Sequence, residues 1–198
     1  MSTQKRQSTN VQTLTECAVM LALSFALSSA KLFEMPMGGS VTIASMLPVM
    51  LISIKYGIGV GIPTAFLYSL TQLLQAFATA NVFPYCETPL ALALCIVFDY
   101  VLPFTVLGLA GIFLKLPLSK KSEINVYYGI TSAVTVRFIC HFITGVVIWG
   151  QWAPDGMGKY LYSFLYNASF LSVDFTICII SAVLMFRKDE IKKLVGID

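Results

Sequence analysis

The chain has 198 residues, of which 57% are hydrophobic types and only 12% are charged, with a formal net charge of +3. Soluble domains carry about 25% charged residues, so a mean hydropathy of +0.80 excludes an ordinary water-soluble fold and makes a lipid bilayer the solvent. No Pro/Ser-rich linker or low-complexity tail divides the sequence, which gives a single domain over residues 1–198.

A helix needs about 20 apolar residues to cross a bilayer. Six segments approach that length, at about 12–31, 40–54, 57–79, 89–114, 124–150 and 160–186. The expected fold is an all-α integral membrane bundle of six transmembrane helices, with polar tails at about 1–11 and 187–198. The first apolar run, Cys17 to Ala30, is followed by Lys31-Leu32-Phe33-Glu34, a poor signal-peptide cleavage site, and so reads as a retained helix. Ala18, Ala22, Ala26 and Ala30 recur on it at a spacing of four. Such a small-residue stripe lets another helix approach closely in lipid, either inside this bundle or as a docking face for a partner membrane protein. The second segment is short. Met35-Pro36-Met37-Gly38-Gly39 precedes it and Pro48 interrupts it, so a tilted or partly interfacial helix is expected.

In the third segment Gly57, Gly59 and Gly61 form a shorter small-residue stripe. Its later part, with Gln72, Gln75, Thr79 and Asn81, is polar and is expected to run out of the bilayer. The fourth carries Asp99 and Tyr100, with Pro103 four residues after the acid. Proline has no N–H, so the Asp99 carbonyl loses its helical partner and the helix should kink. In the fifth, His141, Gly145 and Trp149 step along one helical face. A mid-helix glycine costs about 1 kcal/mol relative to alanine, and Gly145 is expected to clear space beside the Trp149 ring. The sixth places Tyr162, Tyr166 and Asn167 in its first turns and Asp174 deeper, with no role assigned.

Lys and Arg set the orientation. With six spans, Lys5, Arg6, Lys55, Lys115, Lys120, Lys121, Arg187, Lys188, Lys192 and Lys193 share one side, and only Lys31 and Lys159 lie on the other. Both termini are therefore expected to be cytoplasmic. Asp99, His141, Trp149, Tyr162 and Asn167 then fall in the outer halves of their helices and aim at one outward-facing zone.

An ionisable group within a span costs roughly 2.5–3.5 kcal/mol on insertion scales and reads first as a functional site. For Asp99 the alternatives are an ion pair with Arg137 or a proton relay. For His141 the alternative is a satisfied buried histidine, and for the aromatic residues an interfacial belt. The five cysteines show no C-x-x-C spacing and the chain has one histidine, so no metal site is expected. No phosphate-binding G-x-x-x-x-G-K-[ST] loop, G-x-S-x-G elbow or H-E-x-x-H pair occurs, so ATP hydrolysis by that loop is not expected of this chain. An intramembrane enzyme pairing His141 with a serine, or a plain scaffold bundle, remain alternatives.

One carboxylate, several ring faces, an imidazole and an amide suit a planar, nitrogen-rich organic cation. The zone lacks the cluster of basic residues that a phosphorylated ligand calls for. A vitamin of the thiamine type fits, as do other aromatic cations.

The stretch from Cys140 to Asn167 contains H-x-x-x-G-x-x-x-W (His141, Gly145, Trp149), the turn Pro154-Asp155-Gly156, and Y-x-x-x-x-N (Tyr162, Asn167). It resembles the thiamine-specific substrate-binding (S) components of energy-coupling factor transporters, the ThiT or YuaJ family. Met35 to Thr42 with Ser45 to Pro48 is similar to that family's first outer loop and second helix. Val97-Phe98-Asp99-Tyr100 is similar to its acidic motif, and the alanine stripe to its docking signature.

The resemblance implies high-affinity capture of thiamine from outside a bacterial plasma membrane, with no covalent cofactor, no nucleic-acid partner and no chemistry on the ligand. An S component for a related pyrimidine or another vitamin is the nearest alternative. The resemblance also implies docking, through Ala18, Ala22 and Ala26, on a transmembrane coupling protein driven by two ABC-type ATPases. The implied binding residues are Asp99, Tyr100, His141, Gly145, Trp149, Tyr162 and Asn167. Two departures stand out. Some members carry Glu at the position of Asp99. Others cover the ligand with a loop tryptophan, whereas residues 32–45 here contain none, and Phe33 is the aromatic substitute.

Overall fold

The computed structural model describes residues 10–80 and 82–197, and of Met37 the backbone alone. Lys5 and Arg6, with residues 1–9 of the tail expected at about 1–11, and Asn81 and Asp198 lie outside the described residues. In lipid the backbone groups of an apolar run have no partner but one another, which makes helices of such runs. The helices are α1 (Asn10–Ser29), α2 (Leu47–Tyr56), α3 (Ile58–Thr79), α4 (Pro89–Lys115), α5 (Ser122–Val147), α6 (Lys159–Phe186) and a short α7 (Asp189–Val195). Among the described residues, α1, α4, α5 and α6 are long and apolar enough to cross a membrane. Helix α3 has the length, but its glutamines dilute its apolar character. The sequence had placed nothing at α7, in the expected C-terminal tail.

The segment expected as one helix over 40–54 is two structures. Ser40–Thr42 is a strand, β2, paired antiparallel with β1 (Lys31–Glu34), with Phe33 opposite Val41 and Glu34 opposite Ser40. A 3-10 turn at Pro36–Gly38 joins the two strands. Helix α2 begins only at Leu47, and Pro48 sits in its first turn, where a missing N–H costs nothing. Pro48 therefore starts the helix and does not interrupt it. At 1.5 Å per residue α2 is only about 15 Å long, and all of Leu47 to Ile54 is buried. It is a central pillar, not an interfacial helix. Met46, Tyr68, Leu107, Ile130 and Phe186 share its core cluster.

Close packing against α2 depends on missing side chains. Ser53 Oγ donates to the Gly108 carbonyl at 2.5 Å and accepts from the Gly111 N–H at 2.9 Å. A Cβ on Gly61 would lie 2.4 Å from Ser53 Cβ, and one on Gly129 would lie 1.8 Å from the Ala110 carbonyl oxygen. The glycine stripe of α3 is thus partly consumed by internal packing. The alanine stripe of α1 is not: Ala18, Ala22 and Ala26 are exposed, whereas Ser24 and Ser28 on the other face are buried.

Two irregularities shape the functional end. In α4 the residues Ile96–Val101 form a π-helical turn, closed by the Leu102 N–H on the Val97 carbonyl. Pro103 removes the next helical donor, so the ladder widens here where a kink was expected, and Asp99 lies within the wide turn. Helix α5 ends at Val147, and Trp149–Trp152 is a separate 3-10 turn. Trp149 therefore does not continue the helical face of His141 and Gly145.

The opposite end is basic. Lys55 pairs with Glu16 at 2.5 Å and Lys192 with Glu123 at 2.9 Å, and Lys115 approaches Gly57. The Glu123 carboxylate raises the pKa of the Lys192 ammonium above its ordinary value by bonding to it.

Candidate functional site

At the end away from the basic residues, α1, the hairpin turn, α3, α4, α5 and α6 enclose one cavity. The π-turn of α4 turns Asp99 toward α5. Asp99 Oδ1 accepts from His141 Nδ1–H at 3.0 Å and from the Thr144 hydroxyl, and Oδ2 accepts from Trp149 Nε1–H at 2.9 Å. A carboxylate has about four acceptor positions. Three are filled, so Asp99 is held rigidly with one position left over.

His141 Nε2 in turn accepts from Arg137 Nε–H at 3.3 Å, an arrangement that assigns the imidazole proton to Nδ1. A carboxylate, a neutral imidazole and a guanidinium stand in series. The direct Asp99–Arg137 ion pair considered from sequence is replaced by this bridged chain. Arg137 also lies over the Phe104 ring, 4.3 Å from its centroid, and bonds the Met46 sulfur. Both ring nitrogens of His141 are occupied, so neither faces a serine hydroxyl.

Asp99, Tyr100, His141, Gly145, Trp149, Tyr162 and Asn167 all line this cavity. Gly145 serves a different purpose from the one expected. A Cβ there would lie 2.0 Å from Ser163 Oγ, so the glycine lets α5 and α6 touch and does not make room for Trp149. Asn167 spends its amide hydrogens on the carbonyls of Ser163 (2.9 Å) and His141 (3.2 Å), which leaves Oδ1 as the group it can offer. The Tyr162 and Tyr166 rings lie 5.9 Å apart, and Tyr100 leans on Phe83 at 5.6 Å.

The cover of the cavity is backbone, not an aromatic side chain. Gly38 has φ +98, and a Cβ on it would lie 2.4 Å from the Val82 side chain; one on Gly39 would lie 3.0 Å from Phe170 and from the Tyr166 hydroxyl. The Gly39 N–H donates to Tyr166 Oη at 3.1 Å, and the Tyr166 hydroxyl donates to the Pro36 carbonyl. Phe33, the substitute expected from sequence, is 61% exposed. It lines a separate apolar groove with Leu32, Met35 and Val173.

Asp174, unassigned from sequence, accepts from the Thr42 N–H at 3.1 Å and the Thr42 hydroxyl at 3.0 Å. It ties the return strand of the hairpin to α6.

Sequence reasoning also missed a polar wall. Ser28, Gln72, Gln75 and Thr79 line the same cavity, so the polar part of α3 faces an internal space and does not simply leave the bilayer. Thr144 and Arg137 were legible in principle. They stand three residues after and four residues before His141, on one face of its helix.

The family model described as "Thiamine transporter protein (Thia_YuaJ)" matches residues 14–194. A protein named thiamine transporter ThiT from Bacillus subtilis (strain 168) is 33% identical over 189 residues, covering 91% of this chain and 93% of the relative. A second protein of that name, from Lacticaseibacillus paracasei, is 29% identical over 97 residues, covering 44% of this chain and 48% of its own length. The solved structure of ThiT from Listeria monocytogenes shares the fold, with a TM-score of 0.69 and 23% identity over 91% of this chain and 97% of that one. This chain belongs to the Thia_YuaJ thiamine transporter protein family.

Proposed function

We propose that this chain is the thiamine-binding membrane subunit of a bacterial vitamin uptake system, and that it captures its ligand without altering it. The observation that carries the reading is Asp99, the one carboxylate that lines the cavity among the described residues, held by Trp149, His141 and Thr144 in a ring-lined wall. The thiazolium charge of thiamine faces Asp99, its rings lie against Trp149, Tyr100 and Tyr162, and its pyrimidine amino group donates to Asn167 Oδ1. His141 and Gly145 set the positions of these groups. Six spans with both termini in the cytoplasm put the cavity on the outer face. The basic character of the opposite end supports that orientation.

Release inward belongs to partners: a transmembrane coupling protein and two ABC-type ATPases supplied as separate chains. The exposed alanines 18, 22 and 26 of α1 are the docking face, since small residues let a partner helix come close in lipid.

Titration of ligand-free protein with thiamine should quench tryptophan fluorescence saturably at or below micromolar ligand. No saturable change would overturn the reading. Ala22→Leu with Ala26→Leu should leave that titration unchanged and abolish uptake in cells. Retained uptake would remove the docking role.

A further inference from the structure

The α1–α3 wall of the cavity has an unspent hydrogen-bonding pair. Ser28 Oγ accepts from Gln72 Nε2 at 2.9 Å and from Gln75 Nε2 at 3.1 Å, and donates to the Phe25 carbonyl at 2.8 Å. A hydroxyl has one donor and two acceptor positions, so Ser28 is saturated. The second amide hydrogen of Gln75 goes to Ser29 Oγ at 3.0 Å. Gln72 differs. Among the described residues its amide makes only the one bond to Ser28, which leaves one N–H and the carbonyl oxygen on a side chain that lines the cavity.

We propose that Gln72 is a specificity-determining residue that reads an uncharged hydroxyl at the ligand's tail and disfavours the same tail when it is phosphorylated. The proposal rests on the thiamine reading, since thiamine carries a hydroxyethyl arm on its thiazolium ring. An alcohol both donates and accepts, and so pairs with an amide N–H and carbonyl presented side by side. A phosphate monoester carries about −1.5 to −2 charges and three strong acceptor oxygens, and meets the carbonyl unfavourably. Of the two cations that line the cavity, Lys31 is paired with Glu34 at 2.7 Å and Arg137 is bonded through Nε to His141. Ser28 and Gln75 are positioning residues that hold the Gln72 amide in place.

The test uses the full-length protein in detergent and three probes: thiamine, the analogue whose hydroxyethyl arm is ethyl, and thiamine monophosphate. Wild-type protein should bind thiamine tightest and the monophosphate weakest. Gln72→Met should weaken thiamine by about 5–10-fold, the size of one or two net hydrogen bonds, and leave the ethyl analogue unchanged. Equal losses for both ligands, or no loss for either, would overturn the proposal while leaving the thiamine reading intact. If the wild-type protein binds none of the three, the thiamine reading fails and takes this subsite with it. Gln72→Glu, nearly isosteric, provides a second readout should Gln72→Met not fold. It should weaken the monophosphate at least about 5-fold more than it weakens thiamine. A monophosphate loss no larger than that for thiamine would also overturn the proposal.

Discussion

Asp99 and Asp174 are both carboxylates set in apolar helices, yet they are built into opposite kinds of environment. Asp174 is 2% exposed and is closed over by one residue of the hairpin, Thr42, whose hydroxyl also meets Ser45 Oγ at 2.7 Å. Asp99 draws its donors from three side chains and keeps an 11% exposed side chain at the cavity wall. Residue type and an apolar helical setting do not distinguish the two. The distinction lies in where the donors come from and whether acceptor capacity is left facing a space. An acid satisfied by the N–H and hydroxyl of one strand residue is a tether. An acid satisfied by side chains on a cavity wall, with an acceptor position to spare, is placed to meet a ligand.

The comparison breaks most visibly under charge removal. Asp99→Asn keeps the shape and loses the charge, and should cost a cationic ligand about 2–5 kcal/mol, with far less effect on a neutral isostere. Calorimetric titration of both ligands measures it, and equal losses would erase the distinction. Asp174→Ala should act on the fold instead. It strands the Thr42 N–H, at about 1–3 kcal/mol for a buried unsatisfied donor. Thermal unfolding in detergent should shift down, and the affinities for cationic and neutral ligands should fall by a common factor. A loss confined to cations would make Asp174 an electrostatic partner of the site.

The two acids also show what was legible in the chain. The run from Asn10 to Ser29 and the extent of α3, α5 and α6 follow from apolar length, and the sequence placed them within a few residues. The hairpin was hidden because Ser40–Thr42 sits in an apolar stretch, where periodicity does not separate a buried strand from a helix. Without the hairpin, Asp174 had no visible partner.

Polarity alone does not say whether Gln72 and Gln75 face outside water or an internal cavity, so the later part of the third segment reads as an exit from the bilayer. The face argument for Trp149 assumed that α5 ran on to residue 150. The actual stop at Val147 places the indole by a 3-10 turn, while Gly145 answers to Ser163. Asp99 itself was legible because an acid, a tyrosine and a proline four residues on already marked the turn as special.

The smallest expected effect tests the tether side of the comparison. Tyr166→Phe keeps the ring against Phe170, at 5.9 Å between centroids, and removes only the hydroxyl that accepts from Gly39 and donates to Pro36. Each such bond is worth about 0.5–1.5 kcal/mol net, and both hold the glycine turn down over the cavity. Because they act on the cover and not on the ligand, their loss should speed dissociation several-fold, leave association unchanged, and treat cationic and neutral ligands alike. Stopped-flow fluorescence separates the two rates. A slower association or a cation-selective loss would mean that the Tyr166 hydroxyl touches the ligand, and that the cover and the binding wall are one device.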